Sequence, residues 1–317
     1  MRDSADSYRY GVTRRGSNRT RRGTFDDDEP VYAKRRRHLP RLEAEDAHDA
    51  VDGLPAGDRW STWDQSAPLE RGPRPHPAWL VTELAAVDTE LGILKTGKEA
   101  DVWLIRRGVP GGRSGLLAAK RYRDSGHRMF HRDSAYLEGR RVRASRDSRA
   151  MARRTEVGRA MIAGQWAAAE FAALARLYPG GVPVPYPVQV LGTEVLLEFI
   201  GEPDGTAAPR LADLRPGARE LAALWDQLVW ALVSLARDGL AHGDMSAYNL
   251  LVHRERLVLI DLPQVVDVIA NPRGAGYLER DARNVGGWFS ARGLRGVAPA
   301  PEQLPALLRA EARLRDA

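Results

Sequence analysis

The feature that most constrains this chain is a polar loop followed by two apolar runs and a single aspartate. The loop is His242-Gly-Asp-Met-Ser-Ala-Tyr-Asn249, in which Asp244 stands five residues before Asn249. The two apolar runs come next, and the second one ends at Asp261. Phosphoryl transfer needs a carboxylate that orients the attacking hydroxyl, and oxygen ligands that hold a metal ion against the phosphates. The spacing therefore predicts that Asp244 orients the nucleophile and that Asn249 and Asp261 bind Mg²⁺ or Mn²⁺, with Asp261 also assigned to catalysis.

A simpler interpretation of the same residues is open. An Asp followed at this distance by an Asn is common, and an Asp after a strand often only caps a turn. The loop alone does not decide between the two interpretations. Further segments favour phosphoryl transfer, because they follow one another in the order in which kinases present them.

The first of these segments is a polar turn between two apolar runs at residues 91–105. Its residues are Thr96, Gly97, Lys98 and Glu99, and we predict that they bind the phosphates of ATP. Gly97 would let the backbone come close, and Lys98 would add positive potential. Neither G-x4-G-K-[ST] nor G-x-G-x-x-G is present, so an ordinary hairpin is the alternative.

The second segment ends in Lys120, which closes a short apolar run. A lysine at this place in a kinase contacts the phosphates and pairs with a glutamate on the next helix. A helix is predicted for 161–178, and Glu170 is its only carboxylate. We therefore predict a Lys120–Glu170 pair that binds nucleotide, with Lys120 also assigned to catalysis. A solvated glutamate on the helix surface is the alternative.

The third segment, residues 188–200, alternates around a Gly-Thr turn and predicts a hairpin. Glu198 and Ile200 then occupy the position of a hinge, where backbone groups would meet adenine. A long amphipathic helix is predicted for residues 221–235, beneath the loop. His242 is expected to support that loop through hydrogen bonds, without acting as a base.

These segments together resemble the RIO kinases, a family of atypical protein kinases, over about residues 78–290. Residues 96–103 are similar to the family's S-T-G-K-E-A-N-V-Y loop, and residues 166–170 are similar to its W-A-x-K-E helix. The remaining matches are 242–249 to H-x-D-L-S-E-F-N, 260–264 to I-D-x-x-Q and 280–289 to R-D-x-x-N-V-x-x-F-F. The chain departs from the family at Lys95, where Ser is usual, and at Met245 and Pro263.

The resemblance implies a two-lobed, protein-kinase-like α+β fold. A small antiparallel-sheet N-lobe would span residues 76–200. A truncated helical C-lobe, with the catalytic loop 242–249, would span residues 201–317, and no A-P-E motif follows Asp261. The implied activity is that of a non-specific serine/threonine protein kinase, which transfers the γ-phosphate of ATP with Mg²⁺ to an unknown protein substrate.

Three stretches are predicted to lie outside the regular lobes. Residues 1–75 are rich in Arg, Asp, Gly and Pro and predict a disordered charged tail, in which Trp60 and Trp63 are unusual and could dock on the kinase body or on a partner. Residues 77–90 predict a short helix. Residues 121–154 carry 11 Arg against four acidic residues and predict a flexible basic loop that contacts RNA or a ribosomal particle. A solvated loop without a partner is the alternative.

Composition excludes some classes of protein and leaves two other functions open. The absence of cysteine excludes disulfides and thiolate metal sites. No apolar run reaches the roughly 18 residues of a membrane helix, so we expect a cytoplasmic protein with no membrane partner. The first alternative function is an ATPase switch that binds ribosomal RNA or ribonucleoprotein. The second is a small-molecule phosphotransferase, which shares H-x-D-x4-N but usually carries an acidic substrate lobe.

Overall fold

A six-stranded antiparallel sheet and one long helix form the N-terminal lobe. The computed structural model describes residues 58–123 and 156–314, all of which belong to one compact unit. Helix α1 (Glu156–Leu177) packs against strands β4, β5 and β6, and the spatial order of the sheet is β1-β2-β3-β4-β6-β5. The strands are β1 (Asp58–Trp60), β2 (Val87–Thr96), β3 (Ala100–Gly108), β4 (Ser114–Tyr122), β5 (Pro187–Leu191) and β6 (Glu194–Glu198).

Strand β4 shows how both faces of the sheet become covered. Because successive side chains of a strand point to opposite faces, Lys120 and Tyr122 lie on the side of α1, and Leu117 and Ala119 lie on the other. That second face packs against Trp63 and other apolar residues of the segment 61–81. The sheet is therefore the middle layer between α1 and an irregular cover.

The described structure includes residues 58–75, which the sequence predicts to belong to a disordered tail. Strand β1 pairs with β2, and Trp63 is only 5% exposed. The reason is that the second face of the sheet is apolar and Trp63 packs against it, although the segment is polar on average. The rest of the predicted tail, residues 1–57, lies outside the described residues. The short helix predicted for 77–90 is wrong, since residues 78–86 form two turns, at 78–79 and 84–85, joined by irregular backbone, and β2 begins at Val87.

A buried polar network ties this cover to the sheet. Arg107 on β3 donates hydrogen bonds to both carboxylate oxygens of Asp88, at 2.6 and 2.9 Å, and to Gln189 Oε1 at 2.9 Å. Gln189 Nε2 in turn donates to Thr62 Oγ1 at 2.8 Å and to Ser66 Oγ at 3.0 Å. Arg107, Asp88 and Gln189 are each 1% exposed. The two charges compensate each other inside the lobe.

We expect Asp88→Ala to lower the free energy of unfolding by about 3–5 kcal/mol, because the guanidinium of Arg107 would stay buried without its counter-charge. Urea unfolding of both proteins measures the difference. Asp64→Ala is the matched control. Asp64 is exposed in the cover segment 61–81, and its loss should lower the free energy of unfolding by less than about 0.5 kcal/mol. Similar losses for the two variants would contradict a stabilising role for the buried pair.

The C-terminal lobe consists of helices and two small sheets. Its helices are α2 (Ala218–Arg237), α3 (Gly274–Ala291) and α4 (Leu304–Glu311). Strand β7 (Leu240–Ala241) pairs with β10 (Val266–Asp267), and β8 (Leu250–His253) pairs with β9 (Arg256–Leu259). The amphipathic stripe predicted for α2 is buried in one core that also includes apolar residues of α1. The predicted α+β kinase-like fold is confirmed.

No helix within the two described ranges has the length and apolar character needed to cross a membrane.

Candidate active site

A cleft of about 230 Å³ lies between the two lobes. Apolar side chains of both lobes line most of it, among them Val102 and Ala118 from the sheet and Leu251 from β8. The connection Glu198–Ile200 between the lobes lines it as well, while Lys120, Glu170 and Asp261 bring charge into it. The cleft thus combines apolar walls that suit a flat ring with charged groups that suit phosphates.

Three charged side chains meet in the cleft. The ammonium group of Lys120 lies 2.7 Å from Glu170 Oε1 and 2.6 Å from Asp261 Oδ1. The two residues predicted to pair, Lys120 on β4 and Glu170 on α1, are therefore paired, and Asp261 joins them from the other lobe. We call Lys120, Glu170 and Asp261 the ionic triad.

Burial and ion pairing oppose each other within the ionic triad. Burial lowers the pKa of Lys120, but attraction by Asp261 and Glu170 outweighs it, so the pKa is raised overall. Burial raises the pKa of Asp261, but the nearby ammonium of Lys120 outweighs it and lowers the pKa to about 2. Both groups are therefore charged at neutral pH.

Glu170 connects three parts of the chain. Its Oε2 accepts a hydrogen bond from the Tyr122 hydroxyl at 2.6 Å, and its Oε1 accepts one from the backbone N–H of Leu262 at 3.2 Å. Burial, followed by the charge of Glu170, raises the pKa of Tyr122, so the hydroxyl keeps its proton and acts as the hydrogen-bond donor. The sequence predicts that residues 121 and 122 belong to the basic loop 121–154, but the structure shows that they are the last residues of β4. The remainder of that loop, from residue 124, is outside the described residues.

The loop 242–249 is joined by hydrogen bonds to the strand that leads to Asp261. His242 is fully buried, and its Nε2 lies 3.1 Å from the Ile260 carbonyl oxygen, which can only accept a hydrogen bond. The Ile260 N–H donates to the Asn249 carbonyl at 3.0 Å. The side-chain Nδ2 of Asn249 donates to the carbonyl of Asp244 at 2.9 Å, and the amide oxygen Oδ1 takes no part in this bond. His242 therefore supports the loop as the sequence predicts.

Gly243 is required in this loop by its backbone. Its φ of +87° lies in the left-handed region, and a Cβ there would stand 2.2 Å from the carbonyl oxygen of Gln264. Any larger residue would displace the chain that carries Asp244.

Helix α3 braces the same loop, which sequence reasoning did not foresee. The carboxylate of Asp281 accepts hydrogen bonds from the N–H groups of Gly243 at 2.7 Å and Met245 at 3.1 Å. Arg280 donates to the Gly243 carbonyl, and Asn284 Nδ2 donates to the Met245 carbonyl at 3.3 Å. The R-D-x-x-N pattern at 280–284 was the only sign of this support in the sequence. Its role depends on the contact of Asp281 with Gly243, which lies 38 residues earlier in the chain.

The structure places the predicted phosphate turn at the mouth of the cleft. Gly97 and Glu99 line the cleft, whereas Thr96 and Lys98 are exposed beside it. The Gly97 N–H donates to the Ala100 carbonyl at 3.0 Å, so the turn closes a β2–β3 hairpin. Of the four residues predicted to bind phosphate, the structure therefore brings Gly97 and Glu99 into the cleft and leaves Thr96 and Lys98 outside it.

Two further cations line the cleft, Lys95 from the N-lobe and Arg210 from the C-lobe. Burial, and then repulsion by Arg210, lowers the pKa of Lys95. The sequence had shown Lys95 only as a departure from the family pattern. Together with Lys120, these residues place three cationic groups in the cleft beside its carboxylates, and such groups can bind the oxygen atoms of an anionic ligand.

Comparison with known proteins agrees with this geometry. The family model described as "RIO domain" matches residues 118–301, which is more than half of the chain. RIO-type serine/threonine-protein kinase Rio1 of Haloferax volcanii is 36% identical over 208 residues, 65% of each chain. Serine/threonine-protein kinase RIO1 of Saccharomyces cerevisiae is 33% identical over 132 residues, 41% of this chain and 27% of that one. The chain thus matches less than two thirds of the length of these relatives.

Among solved structures, the chain is similar to Rio2 kinase from Chaetomium thermophilum in an ADP/Mg²⁺-phosphoaspartate complex. The identity is 20% and the TM-score is 0.47, with 70% of this chain and 65% of that chain covered. The extent of the family match is what decides the assignment, and this chain belongs to the RIO domain family.

Proposed function

We propose that this protein is an ATP- and Mg²⁺-dependent serine/threonine protein kinase, which transfers the γ-phosphate of ATP to a hydroxyl group of a protein substrate. The ionic triad is the observation that carries this proposal. It holds a lysine, which can bind phosphate, and a carboxylate, which can bind metal, against each other in a cleft with apolar walls. Relatives named as serine/threonine-protein kinases support it.

The cleft offers a place for each part of the nucleotide. Adenine would lie between the apolar walls, with the backbone of Glu198 and Ile200 along its edge. The Glu198 side chain is held by the Tyr186 N–H at 3.0 Å, so its backbone is the part that would meet the base. The phosphates would lie near Lys120, since an ammonium has three donors and can keep Glu170 while it binds a phosphate oxygen.

The oxygen atoms of Asn249 and Asp261 fit Mg²⁺. At phosphoryl-transfer sites this ion is held by one or two side chains together with phosphate oxygens and water. When bound, it would neutralise negative charge on the phosphates. The hydrogen bond from Asn249 Nδ2 to the Asp244 carbonyl fixes which end of the amide is available as a ligand.

Asp244 is the residue that we assign to the acceptor hydroxyl. It would orient that hydroxyl toward the γ-phosphate and take up its proton as the bond forms. His242 and Asp281 act as positioning residues, because they hold the backbone on both sides of Asp244 without reaching the reacting atoms.

Incubation with γ-labelled ATP tests the proposal. The protein is mixed with casein, with ribosomal RNA, with an aminoglycoside or with no acceptor, each with Mg²⁺ or with EDTA. We expect label on serine or threonine of casein only when Mg²⁺ is present. Release of phosphate that rises with RNA and labels no protein would favour the ATPase switch, and label on the aminoglycoside would favour a small-molecule phosphotransferase. Either outcome would overturn the proposal.

A further inference from the structure

Tyr122 is a buried residue beside the ionic triad to which the proposed function gives no role. It is the last residue of β4 and stands two positions after Lys120, so both side chains lie on the same face of the strand and contact Glu170 on α1. Only 6% of Tyr122 is exposed. It is too buried to touch a substrate, so it can act on the reaction only through its neighbours.

Tyr122 contacts both members of the Lys120–Glu170 pair. The Lys120 ammonium lies 5.1 Å from the centroid of the Tyr122 ring, a distance at which the face of an aromatic ring attracts a cation. The Tyr122 hydroxyl donates to Glu170 Oε2 at 2.6 Å. Its ring also packs edge to face against Trp166, one helical turn before Glu170, with ring centroids 6.3 Å apart. Tyr122 therefore joins α1 to β4 at the place where the pair forms.

The Tyr122 hydroxyl divides the two carboxylate oxygens of Glu170 between different donors. Oε1 lies 2.7 Å from the Lys120 ammonium and accepts from the Leu262 N–H at 3.2 Å, whereas Oε2 accepts from Tyr122. Because Glu170 is only 1% exposed, water cannot supply a replacement donor. Without the hydroxyl, Oε2 would be left unsatisfied, and the carboxylate would turn both oxygens toward the ammonium. Lys120 would then be drawn toward Glu170 and away from a bound phosphate.

We propose that Tyr122 is a positioning residue for the nucleotide, whose hydroxyl holds Glu170 in the orientation that keeps the Lys120 ammonium directed at the phosphates of ATP. The inference rests on the proposed kinase function and adds to it a residue outside the Lys120–Glu170 pair. One N–H of Lys120 stays on Glu170 Oε1, and the other donors of the ammonium are left for phosphate oxygens. Adenosine has no phosphates, so its binding should not depend on Tyr122.

Tyr122→Phe keeps the ring beside Lys120 and Trp166 and removes only the hydroxyl. Calorimetric titration with MgATP and with adenosine measures the effect. The affinity for MgATP should fall about tenfold, as the loss of one hydrogen bond to a charged group does, while the affinity for adenosine stays within about twofold of wild type. In transfer to casein, the KM for ATP should rise by the same factor, and the KM for casein should not change.

Two further variants isolate the path of this effect. Tyr178→Phe is the matched control, because it removes a hydroxyl from the residue directly after α1, and it should leave both affinities unchanged. Glu170→Gln supplies the background for a double-mutant cycle. In that background Tyr122→Phe should lower the MgATP affinity by less than about twofold, because the hydroxyl acts only through the Glu170 carboxylate. A further tenfold loss there would contradict the inference.

The outcomes separate this inference from the kinase function. Equal MgATP affinity in wild type and Tyr122→Phe would overturn the inference and leave the kinase function intact. A parallel fall of the affinities for MgATP and adenosine would also overturn it, because Tyr122 would then only support the packing of the lobe. If MgATP binding depended on Tyr122 but no acceptor received phosphate, the kinase function would be wrong and the positioning role would be supported. A wild-type protein that bound no MgATP would overturn both.

Discussion

Asp244→Ala is expected to lower kcat for phosphoryl transfer by roughly 10²–10⁴-fold, because the attacking hydroxyl loses the group that orients it and takes its proton. The affinity for MgATP should stay within a few-fold of wild type. Asp244 stands on the loop before β8 and is not among the residues that line the cleft. Single-turnover transfer to casein measures the first effect, and calorimetric titration with MgATP measures the second.

Asp226→Ala is the matched control for this variant, since it removes the same charge from an exposed position on α2. It should transfer phosphate at the wild-type rate. If Asp244→Ala retained more than about a tenth of wild-type kcat, the catalytic role assigned to Asp244 would be wrong.

Asp261→Asn is expected to weaken MgATP binding by about tenfold or more, because a hard cation prefers a charged oxygen and losing even an indirect ligand contact commonly has that effect. ATP without Mg²⁺ should bind at least as tightly as to the wild type. Without Mg²⁺, the Asp261 carboxylate of the wild type only repels the phosphates and competes with them for Lys120, which lies 2.6 Å away. Calorimetry with Mg²⁺ and with EDTA measures both affinities.

In Asp261→Asn, the affinity for MgATP should fall while the affinity for metal-free ATP does not. This difference distinguishes loss of a metal ligand from a general loss of structure. Asp213→Asn, an exposed carboxamide substitution on the same lobe, is the control and should leave both affinities unchanged. A parallel fall of the two affinities in Asp261→Asn would argue against a metal-binding role and for a role in holding Lys120.

The sequence predicted those parts of the site in which the chemistry requires a particular residue type at a particular spacing along the chain. The Lys120–Glu170 pair, the support of the loop by His242 and the hairpin before Glu198 are of this kind. Chain order and strand periodicity locate these groups, and the way in which kinases pair a strand lysine with a helix glutamate supplies the long-range contact. The kinase-like fold followed from the same order.

Other parts depend on contacts that composition hides. Trp63 covers a face of the sheet from within a polar segment, and average composition over that segment predicts a tail. Tyr122 was assigned to the basic loop because charged residues surround it, although strand alternation turns it toward Glu170. Asp281 acts on Gly243 and Met245 from another helix, and a single sequence gives no measure of such pairings.

The bonds of Glu170 limit how this protein can be switched off. If α1 swung away from the sheet, the Lys120 ammonium, the Tyr122 hydroxyl and the Leu262 amide would lose a common acceptor in one step. Lys120 would keep Asp261, which lies 2.6 Å away. The Tyr122 hydroxyl and the Leu262 amide would each cost about 1–3 kcal/mol if they stayed buried without an acceptor, so the displaced position would be disfavoured. Inhibition through rotation of this helix is therefore disfavoured.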